Sequence, residues 1–586
     1  MTKYFLKKFS SITNSSKIAL VTKDNEEVTW ETYFSKCAQF SNSLNKIKIG
    51  RDESIAIMGF NAPEWFYTAI GTIMYGVPYV GIYPTNGQEE VNHILDLSNS
   101  SILVIQNHKL LDNLKINKRL KKIIMYEEEP KKIEHNEIPL TSFNKFINDS
   151  KKTLLETNRN PNSIITYIMT SGTTGKSKAV KISYENISFT CSKICEIYKL
   201  DNERILSFLP LSHIAASMLD MFIHFYHQGT TYFAKPDALQ GTLVDSLKIA
   251  RPTCFLGVPR VWEKISEKMQ EAAAKKYSTL FGKILKIVMD FVKEKTLNYH
   301  NGTMNNEEVS YWTSFIYNLS RRIFFNKIKS SIGFCDCKYF FSGAAPISKD
   351  TLDYFSKIDI VIYEIFGMSE TCGVITASNE GNYRKGSVGK PLIGEVKIAK
   401  DGEILYQGSN NFLGYKKNKD ATSETLDKDN WLHTGDIGTI DKDGYLYITG
   451  RKKELIITAG GENVAPVIIE NLIKKNCPQI SQIVIIGDRK KYLTALVTLP
   501  INELPKKIDE DAKNIEQSVK SKKWNDYVQS AINKYNEKPI SNAQKIQKFT
   551  ILNEDFTIQN DLMTPTMKLK RSKIAQRFEK EIEKMY

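Results

Sequence analysis

At 586 residues, 41% hydrophobic and 25% charged, the chain can bury a substantial core and is long enough for more than one domain, which excludes a disordered protein and a small disulfide scaffold. No run reaches the roughly 18–20 apolar residues of a spanning helix, and eight cysteines without a C-x-x-C pair predict reduced thiols, no zinc site and a cytoplasmic setting. A net charge of +15 suits nucleic acid, an anionic membrane surface or a polyanionic small substrate alike. Lysine is spread along the chain, and there is neither a zinc pattern nor an arginine-rich arm, so no nucleic-acid partner is expected.

The first 23 residues carry lysines and serines but no acid, no arginine and no separate apolar segment, so an import or secretion signal is not expected. From about Lys17 to Leu499, β-branched apolar runs alternate with amphipathic helical stretches and glycine-marked turns, the pattern of a layered α/β architecture. Ser54–Gly59, Tyr79–Tyr83 and Ile102–Ile105 read as early strands. Ile164–Met169 reads as another, running into the polar loop Thr170-Ser171-Gly172-Thr173-Thr174-Gly175-Lys176-Ser177-Lys178. Its glycines let backbone N–H groups turn toward an anion, and its hydroxyls and ammonium groups complete a phosphate cradle. It is not a mononucleotide P-loop, which needs a glycine where this chain has Thr170.

Between Trp262 and Ser331 the texture changes to a lysine-rich helical segment with Leu280, Ile284, Ile287, Val288 and Phe291 at helical spacing. Two explanations stand: a core-packing face, or a face lying peripherally on a membrane interface above a basic polar side. After Gly450 a smaller α/β unit follows, ending in the charged, helix-like Arg571–Tyr586. The expected domains are 1–450 and 451–586.

Further motifs follow in order: Ser342-Gly343-Ala344-Ala345-Pro346, Tyr363-Glu364-Ile365-Phe366-Gly367-Met368-Ser369-Glu370-Thr371, His433-Thr434-Gly435-Asp436, Thr449-Gly450-Arg451-Lys452-Lys453-Glu454 and Thr564-Pro565-Thr566-Met567-Lys568-Leu569-Lys570-Arg571. Placed behind the polar loop, the set resembles the adenylate-forming superfamily of acyl-CoA synthetases, adenylation domains and firefly luciferase. Leu209-Pro-Leu-Ser-His213-Ile-Ala-Ala216, Pro236–Gly241 leading to Gly257-Val-Pro-Arg-Val-Trp-Glu-Lys264, Gly460–Pro466 and Arg577-Phe-Glu-Lys580 narrow the resemblance to the bubblegum branch of long-chain fatty acyl-CoA synthetases. It runs from about Lys17 to the C-terminus.

The resemblance implies an adenylate-forming fold, with a large N-terminal domain of layered sheets and helices and a small α/β C-terminal domain that rotates about a hinge at Lys453. It implies a fatty acid–CoA ligase using ATP, Mg²⁺ and coenzyme A. The chemistry fits the motifs: a carboxylate is a poor acylating agent, and displacement at the α-phosphate needs positioned donors and a cation. The loop from Thr170 to Lys178 would hold the β- and γ-phosphates, and Glu370 would hold Mg²⁺ with the hydroxyl of Thr173. Phe366 would stack on adenine, where the family usually has tyrosine, and Ser369 would donate to the α-phosphate, where threonine is more common. Gly343, Ala344, Ala345, Gly367 and Met368 complete the implied nucleotide-binding set.

Asp436 would accept from both ribose hydroxyls and Arg451 would fix the ribose. Lys568 would bridge carboxylate and α-phosphate oxygens; Lys570 and Arg571 compete for this role, and Met567 stands where the family more often has glycine. His213 matches a residue near the acyl carboxylate, or is a core histidine. Ser177 stands where proline is common. The rivals to a fatty acid ligase are an adenylating enzyme for an amino or aryl acid and a catalytically silent lipid-surface scaffold.

Overall fold

The computed structural model describes residues 5–11, 15–116, 120–148, 160–170, 176–305, 307–500, 508–539, 541–564 and 567–586. The chain packs as two compact units, one of Met1–Ile347, Thr351–Val396 and Tyr406–His433, the other of Ser348–Asp350, Lys397–Leu405 and Thr434–Tyr586.

The larger unit is built on three sheets. The eight-stranded sheet runs Lys178–Ser183, Ile164–Thr170, Tyr79–Ile82, Ser54–Met58, Ser100–Ile105, Lys122–Met125, Ile138–Ser142, Glu134–His135. Its central strands are parallel, Ile55 lying opposite Tyr79 on one side and Ile102 on the other. Every residue of Ser54–Met58 and Ser100–Ile105 is buried, as expected of strands covered on both faces. Every residue of helix Pro63–Tyr75 except Glu64 is buried; the helix begins with proline in its first turn and stops at Gly76, whose φ of 100° is left-handed. The expected early strands are thus present, and the strand expected over Ile164–Met169 extends to Thr170.

A four-stranded sheet orders Arg204–Ser207, Thr230–Phe233, Ile18–Val21 and Glu27–Thr29, and a five-stranded sheet orders Cys254–Gly257, Tyr339–Ser342, Ile362–Met368, Gly373–Ala377 and Lys390–Pro391. The stretch expected to be helical is helical: Pro259–Lys276, Leu280–Met304, Tyr311–Ser320 and, after a π-helical turn, Asn326–Ser331. The core-packing explanation for its apolar stripe does not hold. Leu280, Ile284, Ile287, Val288 and Phe291 are exposed, and a different face of the same helix, with Met289, Val292 and Thr296, is buried. Among the described residues no helix is long and apolar enough to cross a membrane.

In the smaller unit, strands Gln482–Ile486, Leu493–Thr498 and Ile546–Ile551 form a sheet packed by helices Pro466–Asn476 and Lys522–Asn536, with Ile469, Ile473, Trp524 and Val528 in the core. The C-terminal segment is two short helices, Arg571–Arg577 and Glu579–Glu583. Their Ile574, Phe578 and Ile582 bury against Val484 and Leu496.

Candidate active site

The sequence-derived site residues fall into two clusters, one in each unit. In the larger unit, Thr170 ends its strand and is the ladder partner of Lys178, which begins the antiparallel neighbour. Ser171, Gly172, Thr173, Thr174 and Gly175 lie outside the described residues. The downstream end of the polar loop is tied: the Ser177 hydroxyl donates to Glu90 Oε1, and His93 Nε2 lies 2.9 Å from the Ser177 carbonyl. Both partners belong to helix Gln88–Ser98, and neither stood out in the sequence.

Glu370 sits in a single 3₁₀ turn, Ser369–Thr371, immediately after strand Ile362–Met368. All three residues of the turn are buried, and Asn410 Nδ2 fixes it by donating to the Thr371 carbonyl at 2.6 Å. Tyr415 Oη donates to Glu370 Oε1 at 2.7 Å; burial first, and then the carboxylate, push the Tyr415 phenol far above its ordinary range. The Lys178 ammonium lies over the Tyr415 ring, 4.8 Å from its centroid. Tyr415 therefore joins Lys178 at the end of the polar loop to the buried carboxylate, a link that an isolated tyrosine in a glycine-containing turn does not advertise.

The next residue is held as tightly. Lys416 Nζ donates to Tyr167 Oη and to the Ser98 carbonyl, each at 2.9 Å. Burial, and then Lys417, bring its ammonium down to about 8.

Phe366 is buried on the same strand as the Glu370 turn, opposite Thr376. Close approach explains two of the motif glycines. A Cβ on Gly367 would meet the Gly373 carbonyl oxygen at 1.9 Å, and one on Gly343 would meet Ile365 Cγ1 at 2.7 Å. Ala344 holds a left-handed φ of 71°, and Ala345 is exposed. Met368 ends the strand, and its N–H donates to Thr371 Oγ1 at 3.2 Å. His213 caps the short helix Ile214–Ala216, its Nδ1 accepting from Ala215 N at 3.3 Å. The preceding loop is pinned by Asn61, which donates to the Leu209 carbonyl at 2.8 Å.

In the smaller unit, Asp436 and Arg451 are ladder partners on strands Leu432–Ile440 and Leu446–Arg451, and Arg451 Nε donates to Asp436 Oδ1 at 2.9 Å. Burial raises the Asp436 carboxyl above its ordinary range, and Arg451 and Lys568 oppose that rise. Lys568 is only partly exposed; burial first, and then the nearby Arg451 guanidinium, bring its ammonium down to about 8, against the opposing pull of Asp436 and Glu454. Its neighbours are committed elsewhere. Lys570 pairs with Asp561, and Arg571 forks onto Glu470, at 2.7 Å and 2.5 Å, and reaches Glu454 at 3.3 Å. Of the three candidates, Lys568 is the one whose charge bears on the Asp436 carboxyl beside Arg451.

Met567 adopts φ 60°, in a turn closed by its own N–H on the Thr564 carbonyl at 2.8 Å. The left-handed backbone is the conformation glycine adopts without strain, which explains why glycine is the common choice before this lysine.

The AMP-binding enzyme family matches residues 10–416, and the AMP-binding enzyme C-terminal domain matches residues 453–586. Long-chain-fatty-acid–CoA ligase ACSBG2 of Gallus gallus is 39% identical over 97% of this chain and 79% of its own length. The protein of the same name from Homo sapiens is 36% identical over 97% and 90%, and ACSBG1 of Rattus norvegicus is 34% identical over 98% and 84%. Among solved structures, the anthranilate CoA ligase AuaEII in complex with anthranoyl-AMP aligns with a TM-score of 0.73 at 18% identity, covering 98% of each chain. The adenylation domain of a carboxylate reductase from Mycobacterium chelonae aligns with a TM-score of 0.78 at 17% identity, covering 100% of this chain and 91% of its own. At such identities these structures establish the fold, which is that of adenylate-forming enzymes. The relatives alike over nearly the whole length go further: the chain belongs to the AMP-binding enzyme family, in its bubblegum-type branch of long-chain acyl-CoA synthetases.

Proposed function

We propose that the chain is an ATP-dependent long-chain fatty acid–CoA ligase working through an acyl-adenylate. A fatty acid carboxylate oxygen attacks the α-phosphorus of ATP and diphosphate leaves. The coenzyme A thiol then attacks the acyl carbonyl, and AMP leaves with the electron pair of the broken acyl–oxygen bond. The observation that carries the adenylation reading is the partly buried Lys568 ammonium beside the Asp436–Arg451 pair. It is a positive charge held out of bulk water where developing phosphoryl charge needs it. The acid and the thiol acceptor are supported by relatives named long-chain-fatty-acid–CoA ligases.

In this reading the loop from Thr170 to Lys178 receives the β- and γ-phosphates, with Lys178 steadied over Tyr415. Phe366 offers its ring to adenine, Ser369 donates to the α-phosphate, Asp436 and Arg451 hold the ribose, and His213 lies toward the acyl carboxylate. Gly343, Ala344, Ala345, Gly367 and Met368 shape the nucleotide site. A single buried carboxylate fits Mg²⁺, which keeps several waters and binds chiefly through substrate phosphates. Glu370, with Thr173, would hold it, and the ion would supply positive charge to the phosphate oxygens. None of the eight cysteines is joined in a disulfide, which supports a reducing, cytoplasmic setting.

The test is incubation of the purified protein with ATP, Mg²⁺ and oleate, with and without coenzyme A, quantifying AMP, oleoyl-AMP and oleoyl-CoA by mass spectrometry. Oleoyl-CoA formed only with the thiol is the expected result. Oleoyl-AMP without thioester would replace coenzyme A by another acceptor, and no nucleotide turnover with any of a panel of acids would overturn the ligase reading.

A further inference from the structure

Helices Leu280–Met304 and Tyr311–Ser320 form an antiparallel hairpin, joined where Tyr299 stacks on Tyr317 with ring centroids 3.9 Å apart. Its base is fixed to the larger unit: Tyr317 Oη donates to Asp359 Oδ1 at 2.9 Å, and Lys329 Nζ lies 2.7 Å from Asp359 Oδ2. On the first helix Leu280, Phe281, Ile284, Ile287, Val288 and Phe291 lie within one arc, from the 100° step between successive residues, and all are exposed; Leu280 is 81% and Phe281 75% exposed. The arc adjoins the buried arc of Met289, Val292 and Thr296 but is distinct from it. The second helix carries Tyr311, Trp312, Phe315 and Leu319, and the π-helical turn after it carries Ile323; all five are exposed, Tyr311 at 79% and Trp312 at 70%. Of the large apolar side chains exposed in the described chain, most lie in this one hairpin, whereas scattered single exposures are the norm for a surface.

The charge around the stripes decides what covers them. Between residues 280 and 328 there are seven lysines and arginines against four acids. Lys295 lies over the Phe291 ring, 5.7 Å from its centroid, the placement of a long cation that lays its stem on an apolar face and keeps its head in water. Apolar arcs carrying tryptophan and tyrosine, flanked by lysine, match a bilayer interface with anionic headgroups. The stripe from Leu280 to Phe291 is about 16 Å long at 1.5 Å per residue, too short for the ~30 Å hydrocarbon core and suited to lying in its boundary.

We propose that this hairpin docks the protein on anionic membranes, laying the two exposed stripes in the interface while the lysines and arginines meet the headgroups. Docking is independent of the ligase reading, because it needs neither nucleotide nor acid. If that reading holds, docking also brings the enzyme to the phase in which a long-chain acid resides.

The experiment is flotation of the full-length protein, without ATP or fatty acid, with vesicles of phosphatidylcholine alone and of phosphatidylcholine with phosphatidylserine. Wild type should float with the anionic vesicles, more weakly at high salt, and the Ile287→Glu/Trp312→Glu variant should lose at least about tenfold in bound fraction. Ile133→Glu, at a residue 86% exposed outside the hairpin, should float like wild type. AMP formation by the double variant without vesicles should match wild type, showing that it is folded. Wild type remaining unbound, or all three proteins floating equally, overturns the proposal. So does a wild-type dimer that the double variant abolishes in sedimentation while neither protein floats, which would assign the stripes to a second copy.

Discussion

In the proposed mechanism Lys568 ties function to a cost in stability. Its ammonium titrates near 8 in the folded chain against an ordinary 10.5, so between those pH values the unfolded chain binds more protons and stability rises with pH; below 8 the charged, partly buried group is a standing cost. Lys568→Met should therefore stabilise the smaller unit at pH 7 by about 1–3 kcal/mol. The gain over wild type should vanish as the pH approaches 10.5, as read by thermal unfolding across pH. The same change should abolish adenylation. Lys568→Ala should slow acyl-AMP formation by about 10²–10³-fold while thioester formation from supplied acyl-AMP continues; equal loss of both half-reactions would remove Lys568 from its role. Wild-type kcat/KM for adenylation should fall as the pH rises through about 8, and Lys568→Arg, slower at every pH, should not show that fall because a guanidinium stays charged. Met567 supplies a further check. Met567→Gly should keep adenylation, whereas Met567→Val, a β-branched residue forced to φ 60°, should cost about 1–2 kcal/mol and lower the rate, as measured by urea unfolding and pyrophosphate release.

At the scale of elements, two short contacts couple pieces far apart in sequence. Tyr415→Phe removes the donor at 2.7 Å from Glu370 Oε1 without changing the packing of the ring. If Glu370 holds Mg²⁺ as proposed, the Mg²⁺ concentration for half-maximal ATP use should rise roughly tenfold, as read by metal titration of AMP formation; an unchanged titration would separate Tyr415 from that role. Helix Gln88–Ser98 steadies the end of the polar loop, the proposed phosphate cradle, through Glu90 and Ser177. Glu90→Ala and Ser177→Ala should each raise the KM for ATP by about three- to tenfold, and the double variant should do no more than either single change.

These contacts mark where sequence reading runs out. Strands such as Ser54–Met58 and Ile164–Thr170 announce themselves through apolar runs bounded by turns, and Asp436 and Arg451 flank a turn that hairpin chemistry makes legible. Tyr415 and Glu90 acquire meaning only through partners dozens of residues away. Register with the family motif favours Lys568 over its competitors Lys570 and Arg571, but what distinguishes them physically is burial and the acids that meet them. The stripe from Leu280 to Phe291 had a helical period in the sequence, but periodicity does not say what covers a face.

For the whole molecule, the division into two units, each with its own core, makes unfolding a matter of two transitions rather than one. The smaller unit takes Thr434–Tyr586 with the earlier segments Ser348–Asp350 and Lys397–Leu405, so Asp436, Arg451 and Lys568 belong to it, and Lys178, Phe366 and Glu370 to the larger unit. The hairpin of exposed apolar side chains belongs to the larger unit, and docking through it, as proposed, would change the units of concentration. An enzyme held at a lipid surface meets its acid as a mole fraction in two dimensions, not as a molarity in three. Adding inert phospholipid at constant total oleate would dilute that surface and slow the reaction, although nothing in the bulk solution had changed.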